Sequence, residues 1–401
     1  MPEPIVVFSH LRWSFVYQRP QHLLARMASK RRIIFFEEPV TDENSEPFLE
    51  LSTTEQGVLV CKPHTCSKNT GYHDDQLPIL STLLKKLINE EKLENYIAWF
   101  YTPMALPLVG DLNPRLIVYD CMDELTGFME APKQLVQRES DLLKTADLVF
   151  TGGPSLYQAK KDLHHSVHCF PSSVDYSHFA RACNPLIDHH CQKSLPRPRL
   201  GYFGVLDERL DLALLHGLAQ SHPEWQIILV GPVLKIDPST LPQCPNIHYF
   251  GQQQYADLPA FLAGWDLCLI PFALNDATRF ISPTKTLEYM AAEKPVVSTP
   301  ITDVAVPYGD IVFIGEDIGN FISACQNALA MTPARQEIMV AAMHQVLAGT
   351  SWGATVQAMD SLIEEAIKRK SQRYKNVQTA SALHRIEREA NRNLAPPIGR
   401  G

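Results

Sequence analysis

Short apolar runs alternate with amphipathic helical patterns along most of this 401-residue chain, and this alternation restricts its fold more than any other feature. In the first half, the patterns of buried strands occur at residues 5–9, 33–37, 96–101, 116–120 and 148–151. Between them, apolar residues recur at i, i+3 and i+4 in residues 21–27, 80–93 and 134–143. Apolar strands that alternate with helices predict a parallel sheet with helices on both faces.

The alternation of strand and helix patterns stops at residues 184–198. We interpret this segment as a linker because prolines and a His-His pair replace the apolar periodicity. The alternation then restarts, with strands predicted at 200–203, 225–230, 267–271, 296–299 and 312–314, and helices at 210–218, 258–262, 286–292 and 318–330. The predicted domains are therefore 1–183 and 199–350. Several strands end in proline at their carboxyl edge, where open α/β sheets bind ligands, so we expect a cleft between the two halves.

The last hundred residues are predicted to be helical, most clearly at 337–347 and 356–368, followed by a polar, flexible tail at 371–401. Five of the eight residues from 368 to 375 are basic. This run is interpreted as a solvated helix end, with peripheral contact to a membrane surface as the alternative.

Composition narrows the class of protein. The formal charge of −8 argues against a nucleic-acid-binding protein. Nine cysteines without a C-x-x-C pair indicate reduced thiols, and the start of the chain has no basic region of the kind that opens a signal peptide. The apolar, uncharged stretch 96–110 is too short to span a bilayer. We expect a soluble cytoplasmic enzyme.

Common catalytic motifs are absent: the sequence contains no G-x-x-x-x-G-K-[ST], G-x-S-x-G, H-E-x-x-H or G-x-G-x-x-G. The His/Cys clusters at 164–169 and 188–191 lack zinc-ligand spacing, so no metal site is predicted. No bound cofactor is predicted either.

The most informative segment is 271–292, in which a predicted strand ends, a polar loop follows and a helix begins near Pro283. A helix N-terminus offers free N–H groups and partial positive charge, which suit a phosphate. Lys285 in the first turn opposes the helix dipole, and a bound diphosphate would explain it. Glu288, three residues later, would accept hydrogen bonds from sugar hydroxyls. The alternative is an ordinary surface ion pair between Lys285 and Glu288.

Residues 282–300, SPTKTLEYMAAEKPVVSTP, resemble the donor-site helix and following strand of GT-B glycosyltransferases. The resemblance is to the family 4 (group 1) type, in its bacterial cell-surface polysaccharide branch. Further similar segments follow in the family's order at 146–151, 169–179, 201–212, 225–232 and 246–251. The resemblance implies a GT-B architecture: two Rossmann-like α/β domains with parallel sheets facing a central cleft, and a helix at 351–370 that crosses back to the N-terminal domain.

The resemblance also implies donor-site roles. Glu288 would bind the nucleotide ribose, and Lys285 with the amides near Ser282 and Thr284 would hold the diphosphate. Arg209, which follows Gly204, would be the second cation, with Arg279 a weaker candidate. The family's Glu-x7-Glu pair would need glutamate where this chain has Phe280, so Asn275 or Asp276 is the expected substitute for contacting the sugar.

In the first half, two loops that leave strand ends carry candidate acceptor and catalytic groups. The acceptor candidates are the polar residues of the first loop, His10, Arg12, Arg19 and His22, with packing within the loop as the alternative for each. The segment 119–124 supplies Asp123 as the first choice for a catalytic carboxylate near the anomeric carbon, and Asp120 as the second. The alternative for Asp123 is capping of a helix N-terminus.

The resulting hypothesis is a hexosyltransferase that uses a nucleotide-diphosphate sugar, UDP-sugar in preference, and a hydroxyl acceptor, either a saccharide or lipid-linked, during synthesis of surface polysaccharide or glycolipid. The resemblance implies retention of anomeric configuration without a metal. Two alternatives stay open: a nucleotide-sugar epimerase or hydrolase on the same fold, and a non-catalytic protein that binds a nucleotide or partner, which Phe280 favours.

Overall fold

The structure of this protein is a computed structural model that describes residues 2–42 and 46–393, with only the backbone described for Tyr374 and for 377–393. Residues up to Val356 form one compact unit that contains both sheets. From Gln357 onward the described residues form a second unit, which is the greater part of one helix that begins at Trp352.

Among the described residues, nine strands form the first sheet, in the order β3-β5-β2-β1-β6-β7-β8-β9, with β4 paired to β5. The strands are β1 (Ile5–Ser9), β2 (Ile33–Glu37), β3 (Val40–Thr41), β4 (Phe48–Thr53), β5 (Val58–Thr65), β6 (Ile97–Phe100), β7 (Leu116–Cys121), β8 (Leu148–Thr151) and β9 (Val167–Cys169). The helices around this sheet are α1 (Arg19–Met27), α2 (Leu77–Glu90), α3 (Leu135–Thr145), α4 (Pro154–Lys160) and α5 (Tyr176–Phe179).

In the same described range, the second sheet has the order β12-β11-β10-β13-β14-β15 and is parallel throughout. Its strands are β10 (Arg199–Phe203), β11 (Gln226–Val230), β12 (Ile247–Tyr249), β13 (Leu267–Ile270), β14 (Val296–Ser298) and β15 (Phe313–Ile314). The helices that follow are α6 (Leu212–Ser221), α7 (Leu258–Ala263), α8 (Thr284–Ala291), α9 (Thr302–Tyr308), α10 (Ile318–Leu329), α11 (Pro333–Ala348) and α12 (Trp352–Asn393).

The predicted fold class is confirmed, because two sheets of predominantly parallel strands alternate with helices. Each sheet lies in its own apolar core, and central strands such as β1 and β13 are buried at every position. One expectation was wrong: the first sheet is not entirely parallel, since β4 pairs with β5 in the antiparallel sense. β4 is exposed at most positions and the burial of β5 alternates, so a search for continuous apolar runs passes over both strands.

The segment predicted as a linker, 184–198, packs on the second sheet's helices. Gln192 is fully buried and donates hydrogen bonds to Asp188 (2.7 Å) and to the carbonyl of Phe261 (2.8 Å). Arg199 pairs with Asp188 at 2.8 Å. The predicted boundaries at 183/184 and 198/199 stay predictions.

At the other end, α12 continues to Asn393 through residues that were predicted as a polar tail, and 394–401 lie outside the described residues. Its first residue, Trp352, stacks on His22 of α1 with ring centroids 4.8 Å apart. The return of 351–370 to the N-terminal domain stays a prediction. Within the described ranges, every helix is too short or too polar to span a bilayer.

Candidate active site

Loops from the carboxyl ends of the two sheets meet within the first compact unit. Phe128, on the loop after β7, lies under two cations of the second half, Arg209 at 5.6 Å and Lys235 at 4.8 Å from its ring centroid. Asp303 at the start of α9 accepts a hydrogen bond from the backbone N–H of Ser155 in α4, at 3.0 Å. The edges that bind ligands in open α/β sheets therefore face each other, as predicted.

Lys285 lies in the first turn of α8, beside Gly204 at the end of β10. Gly204 has a positive φ of 140°, and a Cβ at this position would lie 2.7 Å from Nζ of Lys285, so only glycine leaves room for the lysine side chain. Nζ faces the rings of Tyr202 (5.4 Å) and Phe272 (5.9 Å). Burial and the nearby Arg209 lower the pKa of Lys285 to about 8. Glu288, Asp207 and Asp123 partly oppose this shift, but none of them forms an ion pair with Lys285 in the described part of the chain.

Glu288, one turn further along α8, is only 6% exposed. Burial raises the pKa of Glu288 to about 7, against the opposing effect of Lys285. Among the described residues no hydrogen bond or ion pair joins Glu288 to Lys285, and no protein group donates to the Glu288 carboxylate. The ordinary surface ion pair that sequence alone left open is therefore not formed, and both side chains are available to a ligand.

Arg209 is held by Asp207 of the same loop, through Nε–Oδ1 (2.9 Å) and Nη2–Oδ2 (2.6 Å) contacts. Burial opposes the charge of Arg209, but the hydrogen bonds to Asp207 outweigh it and raise the pKa of the guanidinium. The arginine side chain is 21% exposed. Arg209 is therefore oriented in advance and reaches the same region as Lys285, whose pKa it lowers.

Asp123 and Asp120 differ sharply, although three positions apart. Asp120 is fully buried and bound by Arg19, with Nη2–Oδ1 at 2.9 Å and Nε–Oδ1 at 3.1 Å. Asp123 is partly exposed and has no hydrogen-bonded side-chain partner among the described residues. Burial raises its pKa, and Arg209, Arg19 and Lys285 oppose that rise. The Asp120 candidate therefore forms a structural ion pair, and Asp123 remains the available carboxylate.

Capping does not explain Asp123. The short 3-10 helix Leu125–Gly127 begins after Glu124, and no side-chain bond caps it. Asp123 therefore does not cap a helix, which was the structural role that the sequence left open.

Three of the four acceptor candidates are bound within the protein. Arg12 pairs with Glu37 (3.1 Å) and donates to two backbone carbonyls, and Arg19 binds Asp120 and the carbonyl of Phe170 (2.7 Å). His22 is 1% exposed and stacks on Trp352, and burial, together with Arg26, lowers its pKa to about 3. These contacts match the packing alternative for Arg12, Arg19 and His22, and acceptor binding by any of the four residues stays a prediction.

His10, at the end of β1, is partly exposed, and its buried Nδ1 has no hydrogen-bond partner in the described structure. Burial and the nearby Lys235 lower the pKa of His10 to about 4, so the ring is neutral at pH 7.

The remaining donor candidates shape the loop before α8. The side-chain amide of Asn275 donates to the carbonyl of Glu208 (2.9 Å), and its oxygen accepts from Thr278 (3.1 Å). Exposed Arg279 lies over the ring of Phe280 at 5.1 Å, and Asp276 is exposed. Asn275, Asp276 and Arg279 line a cavity of about 310 Å³.

The loop also joins the two halves. The carbonyl of Ser282 accepts a hydrogen bond from Oγ of Ser172 (2.8 Å), and Thr284 is the first, partly buried residue of α8. Phe280, where the family pattern has glutamate, packs against the apolar core of the first sheet. An apolar residue at this position therefore serves contact between the halves.

Sequence reasoning missed four groups that the structure brings to the same cleft. They are Phe128, Lys235, Glu38 and Glu208, and both carboxylate oxygens of Glu208 are buried with no partner among the described residues. None belongs to a motif, and each becomes informative only through contacts with distant segments.

A candidate metal group also lies in the described residues, at His189, His190 and Cys191, whose ligand atoms are within 4.8 Å of one another. The ring of His189 stacks on Phe261 at 4.1 Å. Structural zinc sites take four protein ligands, and no fourth side chain completes this group within the described ranges. We assign no metal to it.

Comparison with known proteins agrees with this geometry. Residues 197–331, from β10 through α10, match the family model described as glycosyl transferases group 1. A protein of Bacillus subtilis strain 168, named as a teichuronic acid biosynthesis glycosyltransferase, TuaH, is 23% identical over 278 residues, which cover 64% of this chain and 69% of that protein.

Solved structures share the architecture. Sucrose-phosphate synthase from Thermosynechococcus elongatus is similar with a TM-score of 0.69 at 16% identity, covering 92% of this chain and 100% of that one. Anabaena HepE, solved in complex with UDP and glucose, is similar with a TM-score of 0.64 at 15% identity, covering 91% and 100%. At these identities the structural matches establish a shared GT-B fold.

Proposed function

We propose that this chain is a group 1 glycosyl transferase, and that it moves a hexose from a nucleotide-diphosphate sugar, UDP-sugar in preference, to a hydroxyl acceptor. The observation that carries this proposal is the pair Lys285 and Glu288, which lie one turn apart at the start of α8 and have no ion-pair partner in the described structure. The preference for UDP is supported by the HepE structure, which contains UDP and glucose. The TuaH similarity supports a role in surface polysaccharide or glycolipid synthesis.

In the proposed reaction, the bond between the anomeric carbon and the diphosphate oxygen breaks, and a bond to the acceptor oxygen forms. Negative charge then develops on the leaving diphosphate. Lys285, Arg209 and the free N–H groups at the start of α8 would stabilise that charge. Glu288 would accept hydrogen bonds from the ribose hydroxyls. With this set of cations, we propose a reaction that needs no metal.

Asp123 is the proposed carboxylate beside the anomeric carbon. Its charge would stabilise the positive, oxocarbenium-like character that the sugar acquires as the leaving group departs. Retention of configuration requires the acceptor hydroxyl to attack from the face that the diphosphate leaves, with its proton passing to the departing diphosphate oxygen. Close contact between the halves would exclude water and so limit hydrolysis of the donor.

The first test is a thermal-shift screen with UDP, GDP, CMP, dTDP and their sugars on the wild type, Lys285→Ala and Glu288→Ala. A ligand that binds only the folded protein raises the melting temperature. We expect one nucleotide to stabilise the wild type and to lose its effect in both variants. The matched control is Glu316→Ala, an exposed glutamate outside α8, which should respond like the wild type.

The second test measures transfer with the nucleotide sugar that binds. Product formed only when acceptor is present, with the anomeric configuration of the donor as seen by NMR, would support the transferase. Turnover without acceptor would favour the epimerase or hydrolase. A flat thermal response to the whole panel would favour a non-catalytic protein.

A further inference from the structure

Two polar side chains outside the proposed donor site leave the first sheet side by side. Strands β1 and β2 pair in parallel with Ser9 opposite Glu37, so the next residues, His10 and Glu38, emerge at the same carboxyl edge. Arg12 fixes the turn after β2, because its guanidinium donates to the carbonyls of Glu38 and Pro39. These hydrogen bonds from Arg12 therefore fix the backbone position of Glu38.

Neither side chain is fully satisfied within the protein, although a backbone hydrogen bond with Tyr101 acts on the His10 ring. Nδ1 of His10 is buried without a partner, and no described group donates a hydrogen bond to the Glu38 carboxylate. The carboxylate lies against Gly71, where a Cβ would come within 3.1 Å of Oε1 and where φ is +64°. Burial raises the pKa of Glu38 to about 7, although Arg12 and Lys235 oppose the rise. Polar groups held this way cost stability unless a ligand binds them.

The second half of the chain contributes the third member of this cluster. Lys235 acts electrostatically on both His10 and Glu38, and its Nζ lies 4.8 Å from the ring centroid of Phe128. Cζ of Arg209 lies 5.6 Å from the centroid of the same ring, and Arg209 belongs to the proposed donor site. The cluster of His10, Glu38 and Lys235 therefore adjoins the place where a donor sugar would react.

We infer that His10 and Glu38 bind hydroxyl groups of an uncharged saccharide acceptor, and that Glu38 selects it over a phosphorylated sugar. The inference rests on the proposed function, whose acceptor it specifies. A carboxylate and a neutral imidazole nitrogen both accept hydrogen bonds, and saccharide hydroxyls donate them. A phosphate ester would instead bring a second negative charge beside Glu38, which Lys235 and Arg12, already paired with Glu37, would have to balance.

The test is direct binding by saturation-transfer NMR, with and without saturating UDP. The probes are methyl α-glucoside, methyl α-galactoside and methyl α-mannoside, against glucose, galactose and mannose 6-phosphates. We expect at least one methyl glycoside to bind the wild type more tightly than its 6-phosphate counterpart. Glu38→Gln and His10→Ala should each weaken this binding about 10-fold or more, as expected for a lost hydrogen bond to a charged or buried group.

The matched control is Glu50→Gln, the same substitution at an exposed carboxylate of β4, which should bind like the wild type. Glu38→Lys should shift preference toward the sugar phosphates. Retained thermal stabilisation by UDP shows that Glu38→Gln is folded. The inference is overturned if the 6-phosphates bind the wild type preferentially, if Glu38→Gln binds as the wild type does, or if no glycoside binds at millimolar concentration.

The two proposals fail differently. The protein could bind glycosides through Glu38 and yet bind no nucleotide. That result would contradict the proposed transferase function but would still support the saccharide site. Nucleotide binding that depends on Lys285, with no effect of Glu38 on any saccharide, would contradict only the inference drawn here.

Discussion

Replacing Lys285 by methionine should make the protein more stable and weaken its binding of UDP. The lysine has an unperturbed pKa of 10.5 that the folded state lowers to about 8, chiefly by burial and then by Arg209. Because the unfolded chain holds this proton more tightly, the charged lysine costs stability at pH 7. The cost falls as the pH rises through 8 and vanishes above the unfolded value.

Lys285 is partly exposed, and its charge also favours the ionised carboxylate of Glu288. Solvent screening and the loss of that attraction offset most of the cost of burial, and we expect the Lys285→Met variant to gain about 1 kcal/mol. The same change removes a charged hydrogen bond to phosphate, worth about 1.5–3 kcal/mol, so UDP should bind about 10- to 100-fold more weakly. Uridine, which has no phosphate, should bind both proteins equally.

The assay is thermal unfolding of both proteins at pH 7 and pH 10, with calorimetric titration of UDP and uridine. Lys294→Met is the matched control, because Nζ of Lys294 donates to the carbonyl of Trp265 (2.8 Å) just beyond the same helix. That variant should keep its affinity for UDP. A Lys285→Met protein that is less stable than the wild type, or that binds UDP as tightly, would refute the reasoning.

Three further predictions concern single carboxylates. Uridine binding should weaken as the pH falls from 8 to 6, because burial raises the pKa of Glu288 to about 7 and its ionised form accepts the ribose hydroxyls; titration of Glu288→Gln should show no such dependence. Asp123→Asn should abolish transfer while UDP binds at least as tightly, since a negative charge near Arg209 is removed; residual transfer near the wild-type rate would count against this role. Asp303→Ala should lower the free energy of unfolding by about 1 kcal/mol, because the N–H of Ser155 loses its 3.0 Å bond; unchanged urea denaturation would contradict it.

The sequence predicts strands well where burial is complete. β1, β2 and β8 begin and end at the predicted residues, because each is apolar at nearly every position and buried throughout. The pair β4 and β5 escaped prediction for the opposite reason. β4 is exposed at most positions and β5 alternates, so neither resembles a central strand of a parallel sheet.

The relative positions of candidate site residues were predictable where those residues lie close together in the sequence. Lys285 and Glu288 share one helix, so their spacing alone places them on neighbouring turns. Glu38 and Lys235 lie almost two hundred residues apart, and no local pattern indicates that they meet at one edge. The ion pair of Arg12 with Glu37 was not predictable for the same reason, because the two residues lie on different segments of the chain.

The segment 119–124 shows why residue type alone does not identify a catalytic group. Asp120 and Asp123 follow the same strand, and desolvation makes both costly. Arg19, 101 residues earlier, compensates Asp120 at 2.9 Å, and the buried ion pair is complete without a ligand. Asp123 has instead the cations Arg209 and Lys285 of the other half within electrostatic range, and none of them bonds to it. A carboxylate that stays unpaired among several cations can change partners during a reaction, and this difference favours Asp123 over Asp120 as the candidate catalytic carboxylate.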